Sequence, residues 1–158
     1  MPARNLVVML ADPYAEESRT LFAGLWDELR AIYGKDMGPV AFRPADVVGT
    51  GKCFVVAWLD GAAVGCGAFR PHDPGVAEVK RMFVHAAARR RGVARAILAA
   101  LEMEALHMGY HTMRLETGTL QPEAIALYRS CGFAPIPCFD EYADDPLSLC
   151  FEKAIAPL

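Results

Sequence analysis

The stretch Phe83-Val-His-Ala-Ala-Ala-Arg-Arg-Arg-Gly-Val-Ala94 carries most of the information in this sequence. It joins a run of strand formers, Ala77–Val84, to an amphipathic helical pattern over 88–108. Gly92 and Ala94 let a bulky group approach the backbone closely, and the free N–H groups of a first helical turn attract anions. The stretch therefore predicts an anion site where the helix begins.

Basic side chains crowd this helix start: Arg89, Arg90, Arg91 and Arg95. Positive charge at a helix N-terminus opposes the dipole and costs on the order of 0.3 kcal/mol or more per residue. The cluster is therefore unfavourable without an anion, and guanidinium groups suit a pyrophosphate. A solvated helix face is the alternative. The stretch has neither G-K-[ST] nor G-x-G-x-x-G, so the common nucleotide loops do not explain it.

The remaining pattern alternates strands and helices. Residues 34–51 contain glycines and prolines without a steady period, which predicts a long loop with room for one helical turn. Asp60-Gly61 predicts a hairpin turn, and Pro71 and Pro74 are expected to bracket the next turn. The expected strands are 5–10, 53–59, 62–69, 77–84, 112–117, 133–138 and 147–154, and the expected helices are 16–33, 88–108 and 122–130.

A second block follows the spacing N-x-x-A-x-x-x-Y-x-x-x-G-F, with glutamine in place of asparagine: Gln121, Ala124, Tyr128, Gly132 and Phe133. The first stretch matches [R/Q]-x-x-G-x-[G/A] through Arg89, Gly92 and Ala94. With both blocks in this order, the sequence resembles the GCN5-related N-acetyltransferase (GNAT) superfamily over about its last two thirds.

The resemblance implies an α/β (α+β) fold in one domain over 1–158, with a central mixed, mostly antiparallel sheet of six to seven strands and helices on both faces. It implies acetyl-CoA as co-substrate and no metal. The implied cofactor contacts are the strand Met82, Phe83 and Val84, the helix start Arg89, Arg90, Arg91, Gly92, Val93, Ala94 and Arg95, and the amide of Gln121. Gln121 is otherwise a tolerated variant that precedes Pro122.

Acetyl transfer to an amine needs a base for the ammonium and a proton for the departing thiolate. The resemblance implies Tyr128 as the acid, and core packing is its alternative role. Glu78 is the candidate base, Glu116 is its rival, and an ion pair with Lys80 or an arginine is the other interpretation of Glu78. Cys131 has no activating partner in the pattern, which favours direct transfer in a ternary complex.

Composition and sequence pattern indicate what the protein binds, where it is located and the state of its cysteines. The net charge of −3 and the pI near 5.8 do not favour nucleic-acid binding. No apolar run reaches the length of a membrane span and no signal sequence is recognised, so a cytoplasmic location is expected. The five cysteines lack metal spacing and are expected to be reduced thiols, mostly buried.

The acceptor is expected to be a small-molecule or peptide amine. Residues 34–52 and the acidic stretch 140–145 are the candidate acceptor loops, and a solvated loop is the alternative for the acidic stretch. A catalytically silent acyl-CoA sensor is the second functional hypothesis. Members of the resembled superfamily commonly form homodimers, although no segment here identifies an interface.

Overall fold

The computed structural model describes residues 5–34 and 42–156. Its strands are β1 Leu6–Leu10, β2 Cys53–Leu59, β3 Ala62–Asp73, β4 Val76–Val84, β5 Thr112–Gly118, β6 Ala134–Ile136 and β7 Ser148–Ala154. Its helices are α1 Glu16–Tyr33, α2 Val93–His107 and α3 Pro122–Ser130. Short 3-10 turns occupy 44–47, 86–88 and 140–142.

The seven strands form one sheet in the order β1-β2-β3-β4-β5-β7-β6. All neighbours are antiparallel except β4 and β5, which run parallel. The predicted mixed, mostly antiparallel sheet is therefore confirmed. The parallel pair needs a crossover connection, and α2 supplies it.

Each face of the sheet packs against helices because successive strand residues point to opposite sides. On β2, Val55 and Ala57 belong to the buried cluster that contains Ile97 of α2. The alternate residue Val56 belongs to the other cluster, with Leu21 of α1. The expected helices on both faces are confirmed.

Two element boundaries differ from the expectation. Helix α2 begins at Val93 rather than at 88, because residues 86–88 form a 3-10 turn and Gly92 is left-handed with φ of 79°. Strand β3 continues through Pro71 to Asp73, where we expected a turn. Its pairing with β2 ends at Phe69, so Pro71 meets only β4 and its missing N–H costs no ladder hydrogen bond.

The expectation of five reduced cysteines is wrong for one pair, since Cys138 and Cys150 form a disulfide. The antiparallel register places Ile136 opposite Cys150, which brings residue 138 close to it, with a Cα–Cα distance of 5.1 Å. Cys53 and Cys66 are buried free thiols, as expected.

Of the loop expected over 34–51, residues 35–41 lie outside the described residues, and the single helical turn at 44–47 is confirmed. Within 5–34 and 42–156, no helix combines the length and the apolar character that crossing a membrane requires.

Candidate functional site

The site begins where the sheet opens between β4 and β5. The two strands pair only at Val76, Ala77 and Glu78, opposite residues 112–114. Beyond Glu78, residues 79–84 of β4 pair with β3 alone among the described residues. The backbone edges of β4 and β5 that face each other there are left without a ladder, which is uncommon inside a sheet.

The backbone of Val84 points into this gap. The N–H of His85 donates to the carbonyl of Val64 at 2.8 Å, so Val84 and Gly65 form a pair that is not hydrogen-bonded. The N–H and carbonyl of Val84 therefore turn away from β3. The Nε of Arg89 donates to this carbonyl at 2.9 Å.

A cavity of about 420 Å³ occupies the gap. It is lined by α1, β4, the end of β5, α3 and the segment that leads into β7. Both Tyr128 and Glu116 line it, and so does Met82 of the predicted cofactor strand. The structure thus brings one predicted acid and one of the two candidate bases to the same space.

The ring of Tyr128 is buried, with 6% of the residue exposed, and its centroid lies 5.9 Å from that of Phe133. Burial, and then the charge of Glu116, raises the pKa of the Tyr128 phenol above its ordinary value. The phenol is therefore protonated at neutral pH. Tyr128 lines the cavity, so its hydroxyl can donate to a ligand held there.

Glu116 also lines the cavity and accepts a hydrogen bond from the Ser148 hydroxyl at 2.8 Å. Burial raises the pKa of this carboxyl, and the hydrogen bond from Ser148 lowers it by less. A raised pKa makes a carboxylate a better proton acceptor near neutral pH.

Glu78 has a different environment. Its side chain is 1% exposed, and its two oxygens face cations: Arg70 Nε lies 3.0 Å from Oε1, and Lys80 Nζ lies 3.2 Å from Oε2. Lys80 also donates to the Tyr142 hydroxyl at 2.6 Å. Glu78 does not line the cavity. Its role as base stays a prediction, and its contacts match the ion-pair alternative.

The start of α2 has the geometry of an anion site. Gly92 is the N-cap in the left-handed region, and the first intrahelical bond runs from the N–H of Ala96 to its carbonyl at 3.1 Å. The N–H groups of Val93, Ala94 and Arg95 therefore have no partner within the helix. An added Cβ at Gly92 would meet no atom within 4 Å, so its surroundings are open.

Three of the four arginine side chains near this helix start contact residues of other elements. Arg89 pairs with Glu28 of α1. Arg95 donates to the Ser130 hydroxyl at 2.5 Å and so links α2 to α3. The remaining two are Arg90, which is 3.9 Å from Glu123, and Arg91, which is exposed.

The side chain of Gln121 forms hydrogen bonds within the turn that precedes α3. Its Oε1 accepts hydrogen bonds from the N–H of Gly118 at 3.1 Å and from the Tyr33 hydroxyl at 3.2 Å. No side-chain cap hydrogen bond to α3 is present. This side chain lines the cavity, so a ligand contact through its remaining amide hydrogens is compatible with the turn.

Several residues of the cavity were not singled out from the sequence. Tyr33 and Ser148 both line it, yet they lie on elements far apart in the chain. Register could have found Ser148, because Gly118 pairs with it across β5 and β7. No local pattern points to Tyr33 as a residue of the site.

The model of the acetyltransferase (GNAT) family matches residues 18–133. A relative described as an IAA acetyltransferase from Azospirillum brasilense is 46% identical over 103 residues, which cover 65% of this chain and 67% of the relative.

Two solved structures resemble the whole chain. A Klebsiella pneumoniae protein, solved under the description of an acyl-CoA N-acyltransferase, has a TM-score of 0.80 and 30% identity, covering 96% of this chain and 98% of its own. An aminoglycoside 6'-N-acetyltransferase complexed with coenzyme A has a TM-score of 0.73 over 96% of this chain and 98% of its own. At 16% identity, the second likeness concerns the fold alone.

Proposed function

Because this chain belongs to the acetyltransferase (GNAT) family, we propose that it transfers an acetyl group directly to the primary amine of a small molecule or peptide in a ternary complex. The chain is an N-acetyltransferase, and acetyl-CoA is its co-substrate. The observation that carries the proposal is the shared cavity of Tyr128 and Glu116 at the opening between β4 and β5.

The residues around the gap fit acetyl-CoA. Its pantetheine arm is extended and contains amides, so the free N–H and carbonyl groups of β4 between Met82 and Val84 offer it the hydrogen bonds that a strand would make. The open helix start at Gly92, with the N–H groups of residues 93–95, suits the pyrophosphate. The hydrogen bond from Arg89 to the Val84 carbonyl must break before that carbonyl can pair with the pantetheine arm.

Two side chains then share the proton transfers. The carboxylate of Glu116 accepts the proton of the acceptor ammonium, directly or through a water, and the neutral amine attacks the thioester carbonyl. A carbon–nitrogen bond forms and the carbon–sulfur bond breaks. Tyr128 donates its phenolic proton to the departing thiolate, and the second proton that the acceptor nitrogen releases as the amide forms restores the phenol.

The developing oxyanion needs a donor as well. A backbone N–H of β4 at the gap is the candidate, since no ladder consumes it.

Initial velocities with a panel of amines, measured as release of free thiol, test the proposal. Direct transfer predicts lines that intersect when both substrates are varied, and no acetylated enzyme. Parallel lines, with an acetyl group found on Cys131 by mass spectrometry, would replace direct transfer by a two-step route. Binding of acetyl-CoA without turnover on any amine would instead support the acyl-CoA sensor.

The cytoplasmic location and the homodimer stay predictions. In a reducing compartment the Cys138–Cys150 pair would be two thiols. Thiol titration of the protein taken directly from its source, before and after addition of reductant, therefore bears on the location. Sedimentation at two protein concentrations tests the dimer.

A further inference from the structure

Consecutive residues of β4 from Val79 to Met82 line the same cavity, although a strand normally sends successive side chains to opposite faces. Arg81 has φ of 59°. Ala68 pairs with Lys80 while Cys66 pairs with Phe83, so two residues of β4 oppose one of β3. The bulge interrupts the alternation of side chains along β4, and both Lys80 and Arg81 are among the residues that line the cavity.

These cations belong to a positive cluster. A smaller cavity of about 180 Å³ shares Lys80 and Arg81 with the large one and is lined by Arg70 as well. Within the cluster, Arg70 and Lys80 both pair with Glu78, and Arg81 pairs with Asp46 at 3.3 Å. Three cations thus face two carboxylates.

The guanidinium of Arg81 is incompletely paired. Its side chain is 15% exposed and lies over the Phe42 ring at 4.1 Å. Its Nε is buried with no hydrogen-bond partner among the described residues. Asp46, its carboxylate partner, is also shared with the exposed Arg43 at 3.5 Å. A buried charge with so few acceptors is costly unless a ligand supplies one.

The lining of the large cavity also contains acidic groups. Glu116 and Asp145 line it, while Lys80 and Arg81 line the side of β4. Trp26 and Phe42 also line the cavity and add an aromatic surface, with ring centroids 5.4 Å apart. The cavity therefore offers a cationic region, an acidic region and an aromatic surface within one small volume.

The geometry points to an acceptor that carries a carboxylate close to its amine, namely an α-amino acid with an apolar side chain. Its carboxylate meets Arg81 and Lys80, its ammonium faces Glu116, and its side chain lies against Trp26 and Phe42. The product is the N-acetyl amino acid, with CoA as the leaving thiol. This inference rests on the proposed function, since it names the acceptor of the same site.

The experiment compares three acceptors of one shape: phenylalanine, phenylalaninamide and 2-phenylethylamine. Wild-type protein is expected to show kcat/KM at least about 30-fold higher for phenylalanine than for the other two acceptors. These two lack the carboxylate that would pair with Arg81 and Lys80. The amide also stands for a peptide N-terminus. Leucine with leucinamide repeats the comparison with a second apolar side chain.

The Arg81→Met variant separates binding from chemistry. It is expected to raise KM for phenylalanine about 30-fold, with kcat nearly unchanged, and to alter kcat/KM for 2-phenylethylamine less than about twofold. Arg81→Lys keeps the charge and should recover part of the loss. Arg19→Met, on an exposed arginine of α1, is the matched control and leaves all values unchanged. Thermal melts confirm that each variant is folded.

The outcomes are distinguishable. Turnover of the amines that lack a carboxylate as fast as of the amino acids by wild-type protein overturns this inference and leaves the proposed function intact, whether or not Arg81→Met folds. Binding of acetyl-CoA with no turnover of any amine overturns both.

Discussion

The two halves of β4 differ in what lies beside them. Residues 76–78 pair on both sides, with β3 and β5, and the buried Glu78 is held there between Arg70 and Lys80. Residues 79–84 pair with β3 only, and the cavity opens along their free edge. One strand therefore supplies a closed half that stabilises the sheet and an open half that is available to a ligand.

The comparison also separates the two carboxylates proposed as base. Glu78 belongs to the closed half, where Arg70 and Lys80 form ion pairs with it although its Oε2 has no hydrogen-bond partner among the described residues. Glu116 lies on β5 where the strands have separated, and it meets the cavity. On this account, the loss of Glu78 harms stability and the loss of Glu116 harms activity.

The largest effect is expected for Glu78→Gln. Removal of the charge leaves the largely buried Lys80 and the more exposed Arg70 without their carboxylate, so the free energy of unfolding should fall by about 3 kcal/mol. Denaturant unfolding measures it. The matched control is Glu102→Gln, which breaks a half-exposed pair with Lys153 and should cost less than about 1 kcal/mol.

A folded Glu78→Gln protein of normal stability that has lost the acid limb of its pH profile would contradict this division. It would restore Glu78 as the base.

Tyr128→Phe should lower kcat about 100-fold, equivalent to about 2.7 kcal/mol of activation free energy, because the leaving thiolate loses its proton donor. The phenyl ring still packs on Phe133, so the melting temperature and acetyl-CoA affinity should change little. Steady-state kinetics and a thermal melt measure both. Tyr110→Phe, which loses only a hydrogen bond to the Gly51 carbonyl, is the control. Equal kcat in wild type and Tyr128→Phe would remove Tyr128 from the mechanism.

Glu116→Gln is expected to lower kcat/KM by a similar or smaller factor and to flatten its acid limb. In the wild type, activity falls as pH drops through the folded-state pKa, which burial raises above the ordinary value. Since the folded state holds this proton more tightly than the unfolded chain, ionisation costs stability as pH rises. The variant should therefore melt no lower than wild type at pH 7. An unchanged acid limb would exclude Glu116 as the base.

The smallest effect is expected at the helix start of the open half. Gly92 and the hairpin residue Gly61 both have positive φ, 79° and 84°, and open space around an added Cβ. Alanine at either position should cost about 1 kcal/mol of stability. Only Gly92→Ala should also weaken acetyl-CoA binding, as measured by titration calorimetry. Equal affinity for acetyl-CoA in both variants would show that Gly92 does not lie at the cofactor site.

Local patterns in the sequence predicted much of the fold. The bounds of α1, β2 and α3 fall where periodicity and turn residues place them, at 16–33, 53–59 and 122–130. Each of these signals lies within the element itself. The start of α2 was missed because three small residues, Ala86–Ala88, satisfy a helical pattern while forming a separate 3-10 turn.

The site was harder to predict because it depends on contacts between distant elements. Tyr128 was found through a spaced motif. The pairing of Glu116 with Ser148 depends on the register of β5 and β7, and the bulge at Arg81 depends on its pairing with β3. The Cys138–Cys150 disulfide likewise follows from the register of β6 and β7. No single segment contains these pairings.

The most direct test of the central claim is calorimetric titration of acetyl-CoA into the wild-type protein, Gly92→Glu and the matched Gly61→Glu. The account predicts micromolar binding by the wild type and by Gly61→Glu, and no detectable binding by folded Gly92→Glu, because its carboxylate repels the pyrophosphate at the start of α2. Wild-type protein that does not bind acetyl-CoA, or Gly92→Glu that binds it as tightly as wild type, would contradict the account.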